Sequence, residues 1–126
     1  MRIKNIAIGI QSAEEGVKEF VEAVDAIRSG KVPRGKKEGV YFTSLEAMRR
    51  VLTPKRLGLL HLIREKAPES ISELSRMAKR NLKNVQDDLA MLARIGLVSL
   101  SRVKAARDRV VPRVGYDRLQ LQIPMI

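Results

Sequence analysis

The spacing of the apolar residues changes at Gly96, and this change constrains the fold more than any other feature. Between residues 53 and 96, apolar side chains recur every three or four positions, which is the spacing of helices that bury one face. Beyond Gly96 they alternate with polar residues, as in strands that bury one face. We therefore predict a mainly α chain with a small β-sheet, an α+β fold in which tandem helices precede a group of strands.

Start signals divide the helical region into segments. Ser44 is the predicted N-cap of a short helix. Thr53 followed by Pro54 is typical of a helix start, because threonine caps well and proline is tolerated in the first turn. This pair predicts a second helix that reaches about Lys66.

Two further helices follow in close succession. Ser72 is the predicted N-cap of the first, in which Leu74 and Met77 are expected to face inward. Asn81 is the predicted N-cap of the second, and Gly96 is expected to end it. The residues expected to face inward on this last helix are Val85, Leu89, Leu92 and Ile95.

Three strands are predicted after Gly96, and the polar run SRVKAARDR joins the first two into a hairpin. Residues 99–113 hold five basic side chains and one acid, a net charge of +4. Such a hairpin is expected to contact phosphates; the alternative is a plain solvated loop. The apolar strand positions are Leu97, Val98 and Leu100, then Val110, Val111 and Val114, then Leu119, Leu121 and Ile123.

The N-terminal part is predicted to contain a strand followed by an acidic helix. Alternating Ile6, Ile8 and Ile10 predict a short strand, and Ser12 with Glu15 forms a capping-box pattern at the start of a helix. Residues 12–27 hold one lysine and five acids, a net charge of −4, so this helix is not expected to face DNA. Its apolar stripe is a predicted dimer interface, the alternative being an ordinary cap on the domain. The stripe consists of Val17, Phe20, Val21, Val24 and Ile27.

A basic, glycine-containing segment separates the two parts. Residues 28–39 hold five basic residues and one acid and are predicted to be a solvated linker. We therefore divide the chain into an N-terminal extension, residues 1–39, and a main domain, residues 40–126. Removal of residues 1–30 is expected to leave a folded monomer.

Charge and rare residues narrow the function. Lysine and arginine number 25 against 14 acids, a net charge of +11, which favours a polyanionic partner. Cysteine is absent and His61 is the single histidine, so no His/Cys metal site, disulfide or thiol catalysis is expected. His61 stands among leucines and is expected to be packed or capping. We predict a cytoplasmic chain with no enzyme activity, cofactor or membrane segment.

Tandem helices followed by a basic hairpin are typical of a winged helix-turn-helix. In such a motif the helix that Asn81 caps is the third helix, and its exposed N-terminal turns would read bases through Lys83, Asn84, Gln86 and Asp87. Asp88, on the same helix, is expected to have a structural role. Phosphate contacts are expected from the helix predicted to begin at Ser72 and from the turn that follows it, through Ser72, Arg76 and Arg80. They are also expected from the hairpin, through Arg102, Lys104, Arg107 and Arg109. Each of these side chains could instead be ordinary polar surface.

Residues 40–124 resemble small predicted regulators of the MarR/ArsR-like winged-helix superfamily, some of them antitoxin-like. The resemblance is carried by Leu52-Thr53-Pro54-Lys55-Arg56, Asn84-Val85-x-x-Asp88-Leu89 and Gly96-Leu97-Val98. It implies DNA binding by a homodimer, with the third helix as reader and without cofactor or catalysis. Asp87 departs from the pattern, because relatives often carry a basic residue there.

The predicted function is a sequence-specific DNA-binding transcriptional regulator, a repressor rather than an activator. One alternative is a winged-helix module that binds protein, such as an antitoxin with a toxin partner or an assembly factor. Another is a non-specific nucleic-acid-binding protein. The gathering of basic residues in the hairpin, linker and reading region favours the first hypothesis.

Overall fold

The computed structural model describes residues 4–11, 13–30, 39–123 and 125. It confirms an α+β chain with small sheets. No helix within these ranges is long and apolar enough to cross a membrane. The elements are β1 (Asn5–Ile10), α1 (Ala13–Arg28), β2 (Val40–Phe42), α2 (Leu45–Val51), α3 (Pro54–Lys66), α4 (Ile71–Ala78), α5 (Leu82–Arg94), β3 (Ser99–Lys104), β4 (Asp108–Arg113) and β5 (Arg118–Gln122).

Two separate sheets form, and the first joins both ends of the described chain. Strand β1 lies between β2 and β5 and runs parallel to both. Ile8 is opposite Val40 on one side and Leu121 on the other. Strands β3 and β4 form an antiparallel hairpin, the second sheet. The predicted N-terminal strand is confirmed, but its parallel partners leave no signature in the local sequence.

The proposed division at residue 39 stays a prediction, because most of the predicted linker, residues 31–38, lies outside the described ranges. Ser12, the predicted cap of α1, lies outside them as well. The structure adds that Ile8, from the N-terminal part, is 2% exposed and belongs to the same apolar cluster as the helices. Strand β1 is therefore a structural part of the main core.

Helix starts follow the capping signals with one exception. The Ser44 hydroxyl accepts a hydrogen bond from the Ala47 amide at 3.1 Å, and the Thr53 hydroxyl accepts one from the Arg56 amide at 3.2 Å. The prediction for α4 is wrong, because Ser70 rather than Ser72 is its N-cap. Ser70 accepts from the amide of Glu73 at 3.0 Å, which is the Ser-x-x-Glu pattern of a capping box.

The core is aliphatic and centres on α3, α4 and α5. In α4 the inward stripe is Ile71, Leu74, Ser75 and Ala78, at the spacing of one helix face. Met77 falls outside this stripe and is 37% exposed, so the prediction that it faces inward is wrong. Side chains that are almost completely buried are Leu59, Ile63, Leu74, Val85, Leu89, Leu92 and Leu97.

Gly96 ends α5 as predicted. Its φ of +86° lies in the left-handed region, which glycine adopts without a steric penalty. The Leu97 amide donates to the Leu92 carbonyl at 2.9 Å, and the Gly96 amide donates to the Ala93 carbonyl at 3.1 Å. These are the two bonds of a Schellman motif. The turn carries Leu97 and Val98 into the core, so β3 begins at Ser99, two residues later than the apolar pattern indicates.

Asp117 ties β1 to the end of the molecule that carries β5. Its carboxylate accepts the Lys4 amide at 3.0 Å and the Arg64 Nε at 3.1 Å, while its own amide donates to the Lys4 carbonyl at 2.7 Å. The bond from the Lys4 backbone and the bond from Arg64 lower the pKa of Asp117. Helix α3, β1 and the turn before β5 therefore meet at one carboxylate.

His61 is not packed, and this prediction is wrong. Its side chain is 75% exposed, and Nε2 lies 2.7 Å from Oε2 of Glu65, one turn further along α3. The buried positions of this stretch are Leu59, Leu60 and Ile63, which lie on the other side of the helix.

Candidate nucleic-acid interface

Helices α4 and α5 are joined by a tight turn of three residues. Lys79 adopts the left-handed conformation with φ of +54°, and its amide donates to the Arg76 carbonyl at 3.1 Å. Asn81 caps α5, as predicted, by accepting from the amides of Lys83 at 2.8 Å and Asn84 at 3.4 Å. This turn fixes the direction in which α5 leaves α4.

Helix α5 buries one face completely and presents the other to solvent. Val85, Leu89 and Leu92 are each 0% exposed. The four side chains predicted to read bases, Lys83, Asn84, Gln86 and Asp87, are all exposed. They occupy the first two turns of the helix, so the structure brings the whole predicted reading set to one end of α5.

The exposed face also includes residues that sequence reasoning missed. Leu82 begins α5 and is 40% exposed, and both Ala90 and Arg94 are exposed. Lys83, Ala90 and Arg94 share one face at helical spacing. For Ala90 and Arg94 the signal was present in the sequence, because both lie away from the stripe formed by Val85, Leu89 and Leu92. Leu82 lies seven residues before Leu89, on the side of that stripe, so the helical spacing gave no sign of its exposure.

One carboxylate orients α5 against its neighbours. Asp88 Oδ1 accepts from Arg56 Nε at 3.1 Å, and Oδ2 accepts from Arg80 Nη2 at 2.8 Å. Nη1 of Arg56 also donates to the carbonyls of Arg50 at 3.2 Å and Val51 at 3.0 Å. Asp88 thus connects α5 to α3, to the end of α2 and to the α4–α5 turn, which agrees with the structural role predicted for it.

The positive charges of Arg56 and Arg80 act on the pKa of Asp88. Burial by itself raises the pKa of Asp88, but hydrogen bonds from Arg80 and Arg56, together with their positive charges, bring the pKa below its ordinary value. The carboxylate therefore stays ionised and holds both guanidinium groups.

The predicted phosphate ligands around α4 have different environments. Ser72 and Arg76 are exposed. Arg80, in contrast, keeps only 21% of its side chain exposed and is bound to Asp88; its Nη1 is buried without a hydrogen-bond partner. In this arrangement Arg80 is bound to α5 through Asp88, and most of its side chain is shielded from solvent.

The β3–β4 hairpin carries its basic residues on both faces and at its tip. Residues directly opposite each other share a face: Arg102 is opposite Val110, Lys104 opposite Asp108, and Arg109 opposite Val103. Arg102 and Lys104 therefore lie on one face and Arg109 on the other, with Arg107 in the connecting loop. All four are exposed, and Arg102 also donates to Asp108 at 3.2 Å.

Arg113 anchors the hairpin to the helices. Its Nη1 donates to the carbonyl of Pro68, just before α4, at 2.9 Å. The hydroxyl of Tyr116 donates to the carbonyl of Leu97 at 2.8 Å, and burial raises the pKa of Tyr116 to about 12. These bonds fix the base of the hairpin beside the helices, while its tip projects away from the base.

Within residues 4–11, 13–30 and 39–123 no group of three or more His, Cys, Asp or Glu side chains could hold a metal ion.

A model of the HVO_A0114 family matches residues 51–121. The chain belongs to this family. The matched range takes in α3, α4, α5 and the hairpin, and it leaves out β1, α1 and β2. Nothing among the curated proteins or the solved structures matches the chain.

Proposed function

We propose that this member of the HVO_A0114 family is a sequence-specific DNA-binding transcriptional regulator. In this proposal α3, α4, α5 and the β3–β4 hairpin act as a winged helix-turn-helix of the MarR/ArsR-like kind. The observation that carries the proposal is the polar N-terminal end of α5. It follows a fixed turn from α4 and stands on a completely buried apolar face.

The chemistry of this end suits the major groove. Asn84 and Gln86 can each offer a donor and an acceptor to an adenine edge, and Asp87 can accept from the amino group of cytosine. Lys83 can reach guanine or a phosphate. The apolar Leu82 and Ala90 would suit contact with thymine methyl groups. A face with this variety of groups favours reading of sequence over uniform attraction to phosphate.

Phosphate contacts would come from either side of α5. Arg76 and Ser72 lie on the exposed side of α4, and Arg107 and Arg109 lie at or near the hairpin tip. Arg113 joins the base of the hairpin to Pro68, just before α4, which would hold a wing beside the helices. We further propose repression as the mode of action, because occupying a site on DNA is sufficient to block transcription.

A second candidate function is a winged-helix module that binds another protein, such as a toxin. It is favoured by α1, because four of the five residues of its apolar stripe are exposed, among them Phe20 at 69% and Ile27 at 63%; the fifth, Val24, is half-buried. The two functions are compatible, since α1 lies outside the range matched by the family model.

The test is selection of bound duplexes from a random DNA pool, followed by a base-by-base specificity profile of variants. Asn84→Ala is expected to relax preference at one base position, because a bidentate amide contact is worth about 1 to 3 kcal/mol of discrimination. Its affinity for random DNA should stay within about twofold of the parent. Gln86→Ala should relax a different position.

Gln120→Ala is the matched control, since Gln120 is also exposed but lies on β5. Its profile should equal that of the parent protein. Failure to enrich any sequence, together with tight binding to the whole pool, would identify a non-specific binder. Absence of DNA binding at low salt would overturn the proposal and leave the protein-binding module.

A further inference from the structure

A cavity of about 520 Å³ lies where four parts of the fold meet. Residues 4–6 at the start of β1, 96–99 in the turn after α5, 113 at the base of the hairpin, and 115–116 before β5 line it. Its volume is within the range of small-molecule sites, about 300 to 1,000 Å³. The proposed DNA contacts use none of these residues, so the cavity is free to bind a ligand of its own.

Among the described residues that line the cavity, two are basic and none is acidic. Lys4 is exposed, and it binds Asp117 through its backbone amide and carbonyl, which leaves its ammonium group available. Arg113 donates to the carbonyls of Pro68 and Pro112 through Nη1. Within the described part of the chain its Nε and Nη2 have no partner. Two cations without a carboxylate partner attract an anion.

The remainder of the lining includes an apolar wall. Ile6, Leu97, Val98 and Tyr116 contribute to it. The hydroxyl of Tyr116 is already bound to the carbonyl of Leu97 at 2.8 Å, so the ring is held in a fixed position beside the turn. Such a wall suits the hydrocarbon part of a ligand, which inorganic phosphate lacks.

The C-terminal end of α5 also borders the cavity, and helix ends of this kind carry a partial negative charge. Hydrogen bonds engage the carbonyls concerned. The carbonyls of Leu92 and Ala93 accept from the amides of Leu97 and Gly96, and the carbonyl of Leu97 accepts from Tyr116. Because these carbonyls have partners, the two cations determine which charge the cavity favours.

We propose that this cavity binds a small organic acid. The carboxylate is bound by Lys4 and by the free nitrogens of Arg113, and the apolar body lies against Ile6, Val98 and Tyr116. A guanidinium group suits a carboxylate because its planar donors match the two oxygens. This inference goes beyond the proposed function and does not depend on it, because binding is measured without DNA.

Hexanoate and hexanamide are the matched probes, since they share one carbon chain and differ in charge. Each is titrated into the isotope-labelled full chain, and the backbone amides are followed by NMR. Hexanoate at millimolar concentration should shift the amides of Gly96, Ser99 and Gly115, which line the cavity, and leave that of Gly58 in α3 unchanged. Hexanamide should bind about tenfold more weakly, because it lacks the charge.

Lys4→Gln removes one cation and keeps the backbone bonds to Asp117. It should weaken hexanoate binding about tenfold, with a melting temperature near that of the parent. Lys55→Gln is the matched control, because Lys55 is an exposed lysine of α3 outside the lining. Its affinity for hexanoate should equal that of the parent. Arg113→Ala is less informative, since it also removes the bond to Pro68.

The proposal is wrong if hexanoate causes no saturable shift at the lining residues, or if the shifts centre on another part of the chain. Equal affinity for hexanoate and hexanamide would exclude recognition of the carboxylate, and unchanged affinity in Lys4→Gln would exclude the site described. A chain that binds hexanoate and fails to bind DNA would count against the proposed function alone.

Discussion

Asp88 shows how a single side chain can position a whole helix. It accepts from Arg56 and Arg80 and joins them to α5, with only 15% of its side chain exposed. Its neighbour Asp87 has the same charge and lies on the exposed face of the same helix. The two aspartates are adjacent in the sequence. Only their positions relative to the buried residues of the helix, Val85, Leu89 and Leu92, indicate that Asp88 faces the protein and Asp87 faces solvent.

Replacement of Asp88 by Asn is expected to lower the free energy of unfolding by about 2 kcal/mol, because two partly buried guanidinium groups lose their charged acceptor. Urea denaturation is the measurement. Asp87→Asn is the matched control and should change stability by less than about 0.5 kcal/mol. Equal effects of the two substitutions would show that the cluster around Asp88 does not stabilise the fold.

Stability should also depend on pH at the acid end. The pKa values of Asp88 and Asp117 are both lowered from an ordinary value of 3.8. Because the folded state holds these carboxylates ionised, their contribution is present above that value and is lost as pH falls through the lowered pKa values. Thermal melts from pH 6 down to pH 2 should show a falling melting temperature below about pH 4. In Asp88→Asn this fall should be shallower.

At the scale of elements, the helices and the hairpin were predicted well because their signals are local. Thr53, Asn81 and Gly96 each form the cap or stop that the sequence indicates. The mistakes at Ser72 and Met77 arose where α4 is short and two serines compete for the cap. The exposure of the polar N-terminal end of α5 was predictable from its buried stripe. The α2–α3–α5 contacts made by Arg56 were not, since they join residues far apart in the chain.

Two glycines of the helical region, one at its end and one inside a helix, offer a direct comparison. Gly96 adopts a φ of +86°, whereas Gly58 lies within α3, and neither has an atom close to the position of an added Cβ. Gly96→Ala should lower the free energy of unfolding by about 1 kcal/mol, since alanine is strained at positive φ. Gly58→Ala should raise it by about 0.5 to 1 kcal/mol, since alanine favours the helix. Chemical denaturation of both variants checks the opposite signs.

The proposed function predicts that the hairpin contributes to DNA binding independently of base sequence. Combined replacement of Arg107 and Arg109 by Ala is expected to weaken binding to all duplexes alike. The dependence of log affinity on log salt should fall by about 0.9 per lost phosphate contact. Arg118→Ala is the control, because Arg118 is an exposed arginine in the other sheet. Unchanged affinity and slope in the double variant would remove the hairpin from the DNA contact.

For the whole molecule, the position of β1 between β2 and β5 changes one expectation from the sequence. Removal of residues 1–30 was expected to leave a folded monomer, but it would remove the central strand of the sheet and the buried Ile8. The truncated chain should therefore lose cooperative unfolding. Thermal denaturation followed by circular dichroism would show a broad transition, and a sharp transition near that of the parent would contradict this expectation.

The pairing of β1 with β5 also determines when the three-stranded sheet can be completed during folding. Asn5 and Arg118 are partners in the register, so more than a hundred residues must be synthesised before β1 meets its second neighbour. Helices and the hairpin depend on nearby residues and can form early, whereas the loop closed by β1 and β5 carries the largest entropy cost in the chain. During synthesis on the ribosome, the helical segment could therefore fold before β5 is available to pair with β1. We therefore expect closure of this sheet to come after formation of the helices and the hairpin.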